Sequence, residues 1–284
     1  MNYLLLMMSI LMEAAKTLML TGFSKTSLVT DADIYKFNVF MYLGCLAVAG
    51  VSGVGSISLF SVVTAFLFAL VTIGAQIFFL IALRYGPLSF TSFLQGISLV
   101  IPVVAGVLFM GDGITLHQLL AFPVLFVALA LVFNLSKETL TWKWTLFALL
   151  SMLCMGGVGI VQTVHQASEH RGELSGFLSV SFVFAILLNL LLWKCSAKKD
   201  QKTFPVNGRA LMLSLTSGIF MGVVNIVDLY LAGVMPKAVF FPIVNGGLTV
   251  MTLLGSVVFF REKLNAKQWM GILICTAALC VLGV

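Results

Sequence analysis

Apolar residues run along this chain in blocks of about twenty, without the strict alternation of a half-buried strand or the single stripe of a helix on a soluble core. Polar and glycine-containing stretches separate the blocks. They predict ten helices, at about residues 3 to 23, 37 to 54, 60 to 84, 88 to 110, 117 to 135, 144 to 165, 174 to 194, 209 to 233, 238 to 260 and 266 to 284. A helix needs about 20 apolar residues to cross roughly 30 Å of hydrocarbon, and it satisfies its backbone polar groups internally, so each block reads as a membrane span. A β-barrel would alternate polar and apolar positions, which runs such as LLNLLLW (187–193) do not. The wide connections, SKTSLVTDADIYK (24–36) and KCSAKKDQKTFPVNGR (194–209), are too short for a soluble domain. Trp142, Trp144, Trp193 and Trp269 fall at predicted helix ends, where amphipathic rings favour the membrane interface.

The pattern repeats. Shifted by 150 residues, FTSFLQGISLVIPVVAGVLFMGDGITLHQ (90–118) lies on FFPIVNGGLTVMTLLGSVVFFREKLNAKQ (240–268) without a gap. Phe90 then meets Phe240, Gln95 meets Asn245, Gly96 meets Gly246, Phe109 meets Phe259, Asp112 meets Glu262 and Gln118 meets Gln268. Two homologous five-span halves, 1–135 and 136–284, account for this register. Five is odd, so the second half must enter the membrane from the opposite side. The expected fold is an all-α integral membrane protein of ten helices in two inverted repeats, the architecture of alternating-access carriers.

Composition agrees: of 284 residues, 61% are hydrophobic and 9% charged, with a mean hydropathy of +1.13. The net charge of +6 sits mainly in short connections, where it orients spans and gives no reason to invoke nucleic acid. Thirteen Lys or Arg residues lie in odd-numbered connections, against Arg171 and Lys237 in even ones, which would turn both termini away from the cytoplasm. Cys45, Cys154, Cys275 and Cys280 fall in apolar runs and Cys195 in a connection, with no disulfide or metal spacing. The first block is too polar at its centre for a cleaved signal peptide and is expected to be retained.

That polarity is the chief chemical signal. In SILMEAAKTLML (9–20), Glu13 lies roughly 15 Å into its helix, where a lone carboxylate costs about 2.5 to 3.5 kcal/mol. Ser9, Glu13, Lys16 and Leu20 share a face, so Glu13 and Lys16 either neutralise each other as a structural pair or line a cavity as a substrate or proton site. In the eighth span Gly218, Gly222, Asn225 and Asp228 form a second stripe, with Asp228 as a distant partner for Lys16 or a substrate contact. Gln95 and Asn245 hold matching positions in the fourth and ninth spans; Gln76 and Gln162 are weaker cavity candidates. Pro102, Pro123 and Pro242 are expected to kink helices, with Pro102 and Pro242 as gate candidates. Asp112 and Glu262 are read as caps of the following helices, beside Arg261 and Lys263. His165 and His170, near the end of the sixth span, are either proton carriers or, the preferred reading, solvated loop histidines.

The helix–loop–helix that ends each half, GSVVFFREKLNAKQWMGILICTAALCVLGV (255–284) and more loosely GVLFMGDGITLHQLLAFPVLFVALALVF (106–133), resembles ten-span members of the drug/metabolite transporter superfamily built from two EamA-type domains. SILMEAAKTLML also resembles the first helix of the small multidrug resistance proteins, whose helix-one glutamate exchanges protons for cationic substrates; Glu13 is the matching position. Lys16 departs from that pattern. In the second half, SMLCMGGVGIVQ (151–162) places Met155 opposite Glu13. The resemblance implies cytoplasmic termini, against the loop charges.

An enzyme would need a nucleophile with its base, clustered metal ligands or a phosphate loop, and none appears in the sequence. The expectation is a multi-pass plasma-membrane secondary carrier for an amine, a quaternary ammonium compound or an amino acid, exchanging it for protons or another solute, as a monomer or homodimer in the lipid bilayer and without a cofactor. The alternative is a membrane interaction or assembly protein that transports nothing.

Overall fold

The computed structural model describes residues 2–27, 30–51, 53, 55, 57–86, 88–98, 100–110, 113, 115–132, 141–197, 208–260 and 265–282. Among these are eleven α-helices: α1 (Asn2–Ser27), α2 (Asp31–Val51), α3 (Leu59–Tyr85), α4 (Leu88–Ile97), α5 (Val100–Met110), α6 (Leu116–Val132), α7 (Trp142–Ala167), α8 (Leu174–Ala197), α9 (Gly208–Val234), α10 (Lys237–Phe260) and α11 (Ala266–Leu282). A single 3₁₀ turn, Arg171–Glu173, precedes α8. Seven of the helices are long and apolar enough to cross a bilayer. The protein is a multi-pass membrane protein.

The expected fourth span is broken. It divides into α4, ending at Ile97, and α5, beginning at Val100, one turn before Pro102. A proline ring collides with the carbonyl four residues earlier, here Ser98, and lacks the N–H that would bond it. Pro102 therefore sits in the first turn of α5, where no such bond is needed. Ser98 closes the end of α4 instead: its N–H bonds the Gln95 carbonyl at 3.0 Å and its hydroxyl the same oxygen at 2.5 Å. Pro123 and Pro242 lie inside α6 and α10 without interrupting either. Counting α4 and α5 as one gives the ten elements read from the sequence.

Local chemistry explains several helix starts. α2 begins at Asp31 rather than near 37 because Thr30 and Asp33 cap it reciprocally: the Thr30 N–H donates to Asp33 Oδ2 at 2.9 Å and the Asp33 N–H to Thr30 Oγ1 at 3.2 Å. Polar residues in the first turn thus belong to the helix, which a hydropathy reading omits. Asn265 and Gln268 exchange the same two bonds at α11, at 2.8 and 2.9 Å. The caps assigned to Asp112 and Glu262, with Arg261 and Lys263, lie outside the described residues. Trp144 is also not an interface ring: it is 4% exposed, its Nε1–H bonds Thr91 Oγ1 at 3.1 Å, and it packs against Gly86.

Packing follows a regular scheme. α2 lies against α8 and α9, α3 against α7 and α8, α1 against α9 and α10, the α4–α5 pair against α7 and α10, and α6 against α11. Advancing each element by five spans converts α2 with α9 into α8 with α3, α3 with α7 into α9 with α1, and α1 with α10 into α7 with the broken pair. The closest approach joins α2 and α9. A Cβ on Gly218 would overlap the Met41 carbonyl, and one on Gly222 would stand 3.0 Å from the Cys45 Cα. Only glycine admits such contact, which in a bilayer replaces the hydrophobic force that drives soluble cores together. The Cys45 thiol adds a bond to the Gly218 carbonyl at 3.2 Å.

Gly218→Ala is therefore expected to destabilise the protein by about 1 to 3 kcal/mol through overpacking. Gly50→Ala, in the same helix pair but facing open space, should be neutral or stabilising. Thermal unfolding of both variants in detergent checks this; equal melting temperatures would show that α2 and α9 tolerate separation.

Candidate functional site

Six of the ten spans converge on a cavity of about 110 Å³. Glu13, Lys16, Thr17 and Leu20 come from α1; Thr72, Ala75, Gln76 and Phe79 from α3; and Gln95, Ser98 and Pro102 from the broken pair. α7 adds Met155, Val158, Gly159 and Gln162, α9 adds Met221, Val224, Asn225 and Asp228, and α10 adds Phe240, Phe241, Val244, Asn245 and Leu248. These elements are spans 1, 3 and 4 and their counterparts five spans later. α2, α8, α6 and α11 stay outside and support them. Every site residue named from the sequence lies in this wall except Pro242, whose neighbour Phe241 does.

The volume sets a scale. An engineered protein cavity of roughly 150 Å³ accepts benzene, so this one, as shaped here, suits a solute no larger. Three phenyl rings, of Phe79, Phe240 and Phe241, supply apolar and π surface. The charged groups gather where α1 meets α9. Lys16 Nζ bonds Glu13 Oε1 at 2.5 Å, with the two side chains only 6% and 15% exposed. Asp228 does not bond Lys16. It accepts instead from the Ser9 hydroxyl at 2.5 Å. One turn of α1 thus presents an internally neutralised pair, while the second acid is held by a neutral donor from the turn before.

The amides divide by how they are used. Gln95 Nε2 donates to the Ser151 hydroxyl at 3.0 Å, which donates to the Ala75 carbonyl at 3.0 Å, tying α4, α7 and α3 together. Asn225 and Asn245 each turn their amide nitrogen onto their own helix, to the carbonyls of Met221 at 2.8 Å and Phe241 at 2.9 Å. Both residues line the cavity. Gln76 and Gln162 are both buried, and Gln76 Nε2 has no hydrogen-bond partner among the described residues.

A hydrogen-bonded cluster that includes the two histidines read from the sequence as solvated begins three residues beyond Gln162. His165 is fully buried rather than solvated. Its Nε2 bonds Ser61 Oγ at 3.1 Å, its Nδ1 meets Gln166 Nε2 at 3.3 Å, and its ring lies 4.1 Å from that of Phe177. Glu173 accepts from the Ser58 N–H and hydroxyl, each at 2.8 Å, and pairs with His170 at 3.3 Å. This cluster ties the start of α3 to the end of α7 and the start of α8. The signal was present as polar residues at three helix ends, but their meeting depends on which ends share a membrane face.

The EamA-like transporter family model matches residues 142–284. A crystal structure described only as that of a protein superposes on 99% of this chain and 95% of its own, with a TM-score of 0.76 at 12% identity, a likeness of fold. No curated protein sequence matches the chain.

Removing one partner of a buried ion pair strands the other. Lys16→Met is expected to cost about 3 kcal/mol or more of stability, and Lys16→Met with Glu13→Gln to recover most of that loss. Thermal unfolding of the two variants tests the pair; a single variant as stable as the unaltered protein would show that Glu13 is satisfied by other groups.

Proposed function

Since the chain belongs to the EamA-like transporter family, we propose that it is a secondary active carrier that moves a small organic cation or zwitterion, an amine, a quaternary ammonium compound or an amino acid, in exchange for protons or another solute. The observation that carries this reading is the central cavity holding Glu13, Lys16 and Asp228 among phenyl rings, with three spans from each half in its wall. Two five-span halves, 1–135 and 136–284, related by an inverted repeat, account for that composition, and the five-span symmetry of the helix pairings supports them.

The chemistry follows from charge balance. A solute ammonium entering the cavity competes with Lys16 for the carboxylate of Glu13 and gains the carboxylate of Asp228 once Ser9 is displaced. Phenyl faces attract the same cation by their quadrupoles, worth about 2 kcal/mol when desolvated. Protons compete for the same oxygens, so solute and proton exclude one another, and each occupancy favours a different arrangement of α1 against α9. Gln95, Asn225, Asn245 and Gln162 orient the solute, and the break before Pro102 is a place where the wall moves without disturbing a continuous helix.

Solid-supported membrane currents from proteoliposomes, driven by pH jumps and a panel of amines, guanidinium compounds and amino acids, test the reading. Unaltered protein should give a saturable solute-evoked current, and Glu13→Gln should reduce it about tenfold or more. Currents equal in both proteins would remove Glu13 from coupling. Absence of any saturable solute-evoked current, together with absence of radiolabelled counterflow, would remove the carrier reading.

A further inference from the structure

Polar side chains inside this protein normally turn their hydrogen-bonding groups back onto their own helix. Thr21, Thr64, Thr163, Thr249, Thr252 and Thr276 each donate to the carbonyl four residues earlier. Asn189, Asn225 and Asn245 do the same through their amide nitrogens. In hydrocarbon this is the cheapest way to satisfy such groups. Gln95, on the cavity wall, bonds Ser151 across helices instead, and two further residues that line the cavity hold a buried donor that bonds nothing among the described residues. The hydroxyl of Thr72 and the amide nitrogen of Gln76 are buried and bond nothing, with the residues 6% and 8% exposed.

They are four residues apart on α3, so they stand one above the other on a single face, about 6 Å apart along the helix. An unmet buried donor is costly, more so for two in adjacent turns. Other buried atoms without partners, on Asn38, Tyr42, Ser179 and Trp193, belong to residues that do not line the cavity. Thr72 and Gln76 are therefore the residues of the cavity wall that hold buried donors without a partner among the described residues.

We propose that Thr72 and Gln76 form an acceptor-recognising subsite on α3, which takes an oxygen of the solute, a carboxylate or a carbonyl, while Glu13 and Asp228 take its cationic nitrogen. The subsite rests on the carrier reading above and narrows it. A solute bearing both groups satisfies both walls; a simple amine leaves the α3 donors unmet. Discrimination then comes from the polar groups the wrong solute strands, which is stronger than discrimination by fit alone.

The test uses the full-length protein in detergent, with binding measured calorimetrically for a panel of L-amino acids, each paired with the amine left by its decarboxylation. In the unaltered protein at least one amino acid should bind about tenfold more tightly than its amine, since a hydrogen bond to a charged group is worth that much. In Gln76→Leu and Thr72→Val, which remove a donor with little change of shape, that ratio should fall to about one. Without solute, both variants should melt higher than the unaltered protein by roughly 2 to 4 °C, because each deletes an unmet donor. Amines that bind as tightly as their amino acids, a preference that survives both substitutions, or lower melting temperatures in both solute-free variants would each overturn the subsite. Binding by neither class would overturn the carrier reading for such solutes and the subsite with it.

Discussion

An ammonium group cannot remain unpaired in the middle of a membrane, and the arrangement of this protein follows from where Lys16 finds its counter-charge. The partner is Glu13, one turn away on the same helix. Because the pair is closed within α1, that helix enters the bundle nearly neutral and commits no other element to the charge. Asp228 is thereby released from Lys16 and is held by Ser9, a neutral donor on the preceding turn of α1. α1 and α9 are joined by one hydrogen bond at this level. An interface built this way can exchange partners at small cost, whereas a buried ion pair between two helices would fix them together.

The rest of the bundle is assembled by contact. α2 and α9 meet through Gly44, Gly218 and Gly222 with backbone against backbone, and α3 and α7 pack along their lengths and are tied at one end by Ser61 with His165. Lipid offers helices no hydrophobic reason to associate, so close packing and interhelical hydrogen bonds replace it. The division of labour is visible in the wall of the cavity. The charged groups of the wall come from α1 and α9, while the outer spans α2 and α8 pack against the lining helices α9 and α3.

Much of this is legible in the sequence because the bilayer imposes two simple rules: spans must be long and apolar, and polar residues within them must face protein. Those rules bring Glu13, Lys16, Gln76, Gln95, Gln162, Asn225, Asp228 and Asn245 to one cavity. What they do not supply is pairing. Asp228 bonds Ser9 because the choice between a hydroxyl and an ammonium depends on the rotation of α1 against α9, which no periodicity encodes. Pro102 was readable as a disruption, but the position of the break follows from the carbonyl it displaces, at Ser98. Trp144 and His165 look interfacial by their place in the chain; each is buried because a second helix end, carrying Thr91 in one case and Ser61 in the other, comes to meet it.

The five-span symmetry gives the cavity its chemical sense. It exchanges the α3–α7 wall with the α9–α1 wall, yet the two hold different groups. The α9–α1 side carries both carboxylates and the lysine; the opposite side carries threonine and glutamine amides, with Met155 where a second glutamate would stand in the repeat. The packing is thus symmetric while the chemistry of the two walls is polarised. A carboxylate at position 155 would put three acids around one lysine in the cavity, and burying that excess charge is costly. Met155 adds no third acid to the two that already share the cavity with a single lysine.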